Sequence, residues 1–222
     1  MNKNVIAIDG YASTGKSTLA KRLAKRLDCL YMDTGYMFRV LAYLGLKKGL
    51  ISTAGIDEKA LLDTVASARF SWVKTTEGMQ MAFDGSVFGD EIRGTEVSNQ
   101  VSKVATLKGV RAYLLTQQRL LAQNQSVIMD GRDIGTVVFP DAHFKFFMTA
   151  AAEIRAKRRH LELQSKGMDS DYTAVLQNVI ARDELDTQRE IAPLRKAKDA
   201  VEINTGELSV EEVEELMLQY LQ

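Results

Sequence analysis

The sequence holds a single cysteine, Cys29, which excludes an intramolecular disulfide. Within "CLYMD" that thiol reads as a small buried hydrophobe rather than a nucleophile. Pro140 and Pro193 are the only prolines, so there is no proline-rich linker, and no internal repeat or low-complexity segment occurs. An excess of charge of one sign is also missing, because 29 Lys and Arg balance 29 Asp and Glu. No overall field draws nucleic acid or an anionic membrane, and any anion site has to be built locally. No apolar run is long enough to span a bilayer, and no cleavable N-terminal signal is evident. These absences predict a cytoplasmic enzyme or binding protein without nucleic-acid or membrane partners. His143 and His160 have no second His or Cys at ligand spacing and read as ordinary side chains.

What is present suits one compact domain with insertions or lobes: 222 residues, 45% of them hydrophobic. Apolar strand-like stretches fall at 4–8, 29–32, 126–130, 144–149 and 200–204, most of them separated by helical patterns. The alternation predicts an α/β fold with a parallel sheet covered by helices on both faces. Leu19, Leu23 and Leu27 share one helical face with Ala20 and Ala24, while Lys21, Arg22, Lys25 and Arg26 fall elsewhere. Near the far end, Ser209 and Glu212 form a capping-box pattern ahead of Val213, Leu216, Met217, Tyr220 and Leu221 at helical spacing. Two regions break the alternation. Residues 70–93 carry short β-like runs with turns at Glu77-Gly78 and Asp84-Gly85, which predicts a small inserted antiparallel sheet in which Trp72 packs. Residues 151–199 are helical, charged and rich in arginine, compatible with a solvated helical pair or a working lid.

The most informative stretch is "DGYASTGKST" at 9–18, straight after the first apolar run. Gly10, Gly15, Lys16 and Ser17 match the spacing of a phosphate-binding loop, in the strand-then-helix context the motif requires. Glycines let the backbone turn so that its N–H groups face a polyphosphate, and the helix N-terminus adds a favourable dipole. Lys16 would reach the β- and γ-phosphates and the Ser17 hydroxyl would bind magnesium. No N-K-x-D tetrapeptide occurs, which argues against a guanine-nucleotide switch. Small-molecule phosphoryl transfer fits better than a motor working on a large partner.

Three further clusters stand out. "MDTGYMFRV" at 32–40 puts an acid, a hydroxyl and an arginine where they could hold a second anion. "IMDGRDIGTVVFPDA" at 128–142 sets Asp130, Arg132 and Asp133 at the carboxyl edge of a strand, where open α/β sheets bind ligands. Asp130 there could orient water on magnesium or serve as a structural carboxylate. "ARDELDTQRE" at 181–190 spaces Arg182, Asp186 and Arg189 along one helical face, although Arg182 and Asp186 could simply be a surface pair.

Together these segments, with "EIRGTEVSNQVSKVA", "GVRAYLLTQQR" and the "APL" that follows the last cluster, resemble the bacterial type of cytidylate kinase over nearly the whole chain. "DGRDIGTVVFPDA" is far more specific than the phosphate loop. The resemblance implies one P-loop nucleoside monophosphate kinase domain, 1–222. Its five-stranded parallel core would comprise 1–37, 97–150 and 196–222, flanked by helices. A monophosphate-binding lobe enlarged by a small antiparallel sheet would span 38–96, and a helical lid 151–195. It further implies transfer of the γ-phosphoryl group of ATP to CMP or dCMP with Mg2+, by a cytoplasmic monomer of pyrimidine nucleotide metabolism.

By the same resemblance, Gly10, Tyr11, Ala12, Ser13, Thr14, Gly15, Lys16, Ser17 and Thr18 would bind ATP, with Arg158 of the lid serving its phosphates. Arg39, Arg132 and Arg189 would bind the CMP phosphate, with Thr34 near the acceptor; Ser102, Arg111 and Asp133 would read the cytosine. Arg182 and Asp186 would face the sugar, and Lys16, Arg132, Arg158 and Arg189 would carry catalysis. Several positions depart from the family pattern. Tyr11 stands where many relatives carry proline and Ser17 where many carry glycine. "GYMFR" replaces "GAMYR", changing the apolar surround of Arg39 and removing a phenolic hydroxyl; "RGTEV" replaces "RTPEV" at a turn. The rival readings are another small P-loop kinase, for adenylate, uridylate or shikimate, and a slowly hydrolysing nucleotide-gated binding protein.

Overall fold

The computed structural model describes residues 4–76 and 78–221. In chain order its first half runs β1 (Val5–Gly10), α1 (Lys16–Arg26), β2 (Leu30–Asp33), α2 (Thr34–Lys47), β3 (Ile51–Ser52), β4 (Gly55–Ile56), α3 (Glu58–Val65), β5 (Phe70–Thr75), β6 (Gly78–Phe83), α4 (Thr95–Val104) and α5 (Lys108–Ala122). It continues with β7 (Val127–Gly131), β8 (Phe144–Thr149), α6 (Ala152–Ser165), α7 (Tyr172–Gln188), β9 (Val201–Asn204) and α8 (Val210–Tyr220). A 3-10 turn covers Asp90–Ile92 and a wide π-type turn Ile134–Val138. Two compact units result: one runs up to Tyr31 and resumes at Ser126, and the other spans Met32–Gln125.

The first unit is built on a five-stranded parallel sheet in the order β2-β7-β1-β8-β9. Its strands coincide with the five predicted stretches, their ends displaced by no more than two residues. β1 is central, with Ile6 opposite Ile128 of β7 and Phe144 of β8. It is buried along nearly its whole length, as a parallel strand covered on both faces must be. Leu19 and Leu23 of α1 pack with Ile8, Phe146, Val213 and Met217, so α1 and α8 close the same core. Complete burial of a side chain such as Leu23 stabilises the fold by about 2 kcal/mol. The predicted capping box is present: Ser209 Oγ accepts the Glu212 N–H and the Glu212 carboxylate accepts the Ser209 N–H. Arg22 and Arg26 of α1 pair with Glu211, Glu214 and Glu215 of α8, mostly at the surface where such pairs add little.

In the second unit, β5 and β6 form the antiparallel pair expected within 70–93, in register from Phe70 opposite Phe83 to Thr75 opposite Gly78. Glu77, half of the first expected turn, lies outside the described residues. At the second turn Asp84 and Gly85 both take positive φ, 49° and 75°, the two-residue hairpin geometry. That turn returns only Ser86 to Phe83, as a single bridge, and the chain then coils into the 3-10 turn. The Trp72 indole N–H donates to the Leu121 carbonyl, 3.2 Å away, so this ring packs against α5. The short β3–β4 hairpin has no counterpart in the sequence reading, because two-residue strands carry no periodicity. Among the described residues no helix is long and apolar enough to cross a membrane.

Candidate active site

Between β1 and α1 the backbone bends through three positive φ values: 145° at Gly10, 59° at Ser13 and 91° at Gly15. A Cβ on Gly10 would collide with the Met148 carbonyl of β8, so only glycine fits there. Thr14 Oγ1 donates to the Tyr11 carbonyl at 2.9 Å, and Lys16 Nζ donates to the same carbonyl and to Thr14 Oγ1. Ala12 and Thr14 are buried, whereas Ser17 and Thr18 are exposed on the first turn of α1. Burial, followed by the Arg132 guanidinium, pushes the Lys16 ammonium down to about 7, against the pull of Asp130 and Asp9. Asp9, one residue before the loop, accepts the N–H groups of Ile134 and Gly135 at 2.8 and 2.7 Å. Burial outweighs both donors and raises its carboxyl to about 7.

Ser17 Oγ donates to Asp130 Oδ2 at 2.7 Å, and the Tyr31 hydroxyl donates to Asp130 Oδ1 at 3.0 Å. A solvent-facing hydroxyl beside a carboxylate at a strand end is a hard-oxygen pair. It suits magnesium, which is held by few protein ligands and keeps several waters.

At the end of β7, Arg132 and Asp133 meet residues of α7. Arg132 Nε lies 2.7 Å from Asp186 Oδ2. Arg189, just past α7, sets Nη2 3.5 Å from Asp133 Oδ1 and Nη1 3.8 Å from Asp186 Oδ1. Burial would raise the Asp186 carboxyl, but Arg132, with Arg182 and Arg189, holds it below the usual carboxylate range. Asp186 is buried, so it is no member of a surface pair. Arg132, Asp133, Arg182, Asp186 and Arg189 thus form one interacting group in the unit that carries the phosphate loop.

The second unit holds Thr34, Arg39, Ser102 and Arg111. Asp33 caps α2 by accepting the Tyr36 N–H at 2.9 Å, while its other oxygen accepts Arg39 Nη2 at 2.6 Å. Arg93 Nη2 stands 4.0 Å from that same oxygen. Arg39 Nε is buried without a hydrogen-bond partner among the described residues, a donor suited to an incoming anion. Thr34 opens α2 and Ser102 lies on α4, both buried. The Arg111 guanidinium sits over the Phe38 ring, 5.6 Å from its centroid, and donates to the Ala105 carbonyl at 3.1 Å. Of the two "GYMFR" departures, Tyr36 adds a contact, its hydroxyl accepting the Phe88 N–H at 3.0 Å, while Phe38 offers Arg111 an aromatic face that a tyrosine would offer as well.

Arg158 of α6 forks onto Thr205, with Nη1 at 3.2 Å from Oγ1 and Nη2 on the carbonyl. Sequence reasoning passed over Tyr31, Arg155, Asp183 and Thr205. Of these only Arg155 carried a signal, lying three residues before Arg158 and so on the same helical face.

A glycine loop cradled between a parallel strand and a helix, with a buried lysine and a serine–aspartate pair, defines a P-loop nucleotide-binding protein. The model of the family described as cytidylate kinase matches residues 6–222. The cytidylate kinase of Flavobacterium johnsoniae is 47% identical over 96% of this chain and 93% of its own length. That of Phocaeicola vulgatus is 45% identical over the same shares. A crystal structure of an uncharacterized protein from Eubacterium ventriosum shares the fold, with a TM-score of 0.52 at 14% identity, covering 99% of this chain and 98% of that one. The chain belongs to the cytidylate kinase family and is an ATP-dependent phosphotransferase.

Proposed function

We propose that the protein transfers the γ-phosphoryl group of ATP to CMP or dCMP, giving ADP and CDP or dCDP, as a cytoplasmic monomer. The observation that carries the reading is the largely buried arginine–carboxylate group of Arg132, Asp133, Asp186 and Arg189, in a chain matched to the family along 6–222. The core is assigned to 1–37, 97–150 and 196–222, the acceptor lobe to 38–96 and the lid to 151–195.

Residues 10–18 and Lys16 hold the donor phosphates, with Arg158 on the donor side, where its fork now engages Thr205. Arg39, Arg132 and Arg189 take the acceptor phosphate beside Thr34, and Arg182 and Asp186 take the sugar. Ser102, Arg111 and Asp133 read the base. Cytosine presents an amino donor and ring acceptors, which a carboxylate and a guanidinium complement. The nucleophile is a phosphate oxygen that is largely dianionic at neutral pH, so no protein base is required. Lys16 and the arginines align two anions and stabilise charge on the transferring group, and arginine's fork grips two oxygens at once. Ser17, and Asp130 through water, would hold a magnesium ion, which would supply charge neutralisation at the donor phosphates. Closure of 151–195 would exclude water, the competing nucleophile.

ADP formation from Mg-ATP with CMP, dCMP, UMP, AMP or shikimate, beside the Asp133→Ala protein, tests the reading. Turnover confined to CMP and dCMP and lost in the variant supports it. No acceptor-dependent ADP sinks it.

A further inference from the structure

In a planar trans peptide the C=O and the next residue's N–H point in opposite directions. A side chain that holds the carbonyl of one loop residue therefore aims the N–H of the next. Thr14 Oγ1 and Lys16 do this from within the loop, at the Tyr11 carbonyl. Two other carbonyls are held from outside. Arg155 Nη1 donates to the Ala12 carbonyl at 3.4 Å, and Thr205 Oγ1 lies 3.1 Å from the Thr14 carbonyl.

Thr205 Oγ1 is equally 3.1 Å from the Thr149 carbonyl, which also receives the Thr205 backbone N–H at 2.8 Å. Arg158 Nη1 donates to the hydroxyl oxygen, so its single hydrogen faces the Thr14 and Thr149 carbonyls together and ties the loop to the end of β8. Arg155 is fixed from several directions at once. Its Nε donates to the Ala150 carbonyl at 2.8 Å, and its two terminal nitrogens pair with both oxygens of Asp183 at 3.0 and 2.5 Å. The Tyr11 ring lies 5.0 Å from the guanidinium carbon. Matched in charge by Asp183, this buried guanidinium acts as a rigid donor fork.

We propose that Arg155 and Thr205 are positioning residues that brace the outward carbonyls of the phosphate loop, so that the N–H groups of Ser13 and Gly15 face the phosphates of a nucleoside di- or triphosphate. The proposal rests on the donor-nucleotide reading of that loop and adds to it two side chains that need not touch the nucleotide. A Thr205→Val change keeps the buried volume and removes the hydroxyl; Thr205→Ser keeps the hydroxyl; Arg155→Lys keeps the charge and removes the fork.

Titration calorimetry of the full chain with ADP and, separately, with CMP is the test. Thr205→Val and Arg155→Lys weaken ADP by about five- to tenfold while CMP stays within about twofold, and Thr205→Ser binds ADP like the wild type. Unchanged ADP binding in both variants, or equal weakening of ADP and CMP, overturns the brace. Should Thr205→Val fail to fold, Arg155→Lys and Thr205→Ser decide by the same criteria. Wild-type protein that binds ADP without CMP-dependent turnover removes the kinase reading and leaves the brace to its binding data. Wild-type protein that does not bind ADP overturns both.

Discussion

Arg132 and Asp186 meet at 2.7 Å, joining the end of β7 to α7 through an ion pair whose carboxylate is buried and whose guanidinium is partly buried. Removing Asp186 leaves the half-buried Arg132 without its nearest counter-ion, so Asp186→Ala costs about 1 to 3 kcal/mol of stability. Asp186 titrates below its unfolded value near 3.8, so its contribution is complete above that value and is lost as pH falls through the lower folded one. Urea denaturation should show the gap between wild type and Asp186→Asn narrowing below about pH 4. A gap independent of pH would contradict the pair's role.

Lys16 predicts proton uptake on nucleotide binding. With its ammonium pushed down to about 7, it is mostly neutral at about pH 8, and phosphates draw the proton back. Calorimetry of ADP binding at about pH 8, in buffers of different ionisation enthalpy, should show close to one proton taken up, absent in Lys16→Met. In the free protein the unfolded chain holds more protons between about 7 and 10.5, so Lys16 adds stability as pH rises through that window.

Asp133 predicts base selectivity. Uracil presents a carbonyl oxygen where cytosine has its amino group, so an ionised Asp133 would face it in repulsion and without a hydrogen bond. Specificity constants should favour CMP over UMP by at least about tenfold, and Asp133→Asn should narrow the ratio. Equal constants in the wild type would remove the base-reading assignment.

Gly10 predicts a backbone limit. Alanine there combines a φ of 145° with a collision against the Met148 carbonyl. Gly10→Ala should lose more than about 2 kcal/mol by urea denaturation and weaken ADP binding with it. A variant as stable as the wild type would show that the β1–β8 contact relaxes.

Much of this was legible because it is local. The loop's glycines, lysine and serine lie within one decapeptide, and strand–loop–helix order needs no long-range information. The parallel strands announced themselves as apolar runs because both of their faces are covered. What stayed hidden depends on partners distant in sequence. Arg155 shares its helical face with Arg158, but its buried setting comes from Ala12 and Asp183, which only the fold brings to it. Nothing in the sequence singles out Thr205, which the β8 and β9 ends bring to Thr14. Asp186 had Arg182 at helical spacing, yet its nearest bond goes to Arg132, which only the fold supplies.

The placement of β1 also bears on the order in which a growing chain can acquire its shape. Both neighbours of β1 in the sheet, β7 and β8, are made after the whole of Met32–Gln125. The second unit is contiguous and can fold while synthesis continues, whereas β1 and the phosphate loop must wait for strands and a covering helix that arrive last. β1 is thus made before the second unit yet gains both of its sheet partners after it.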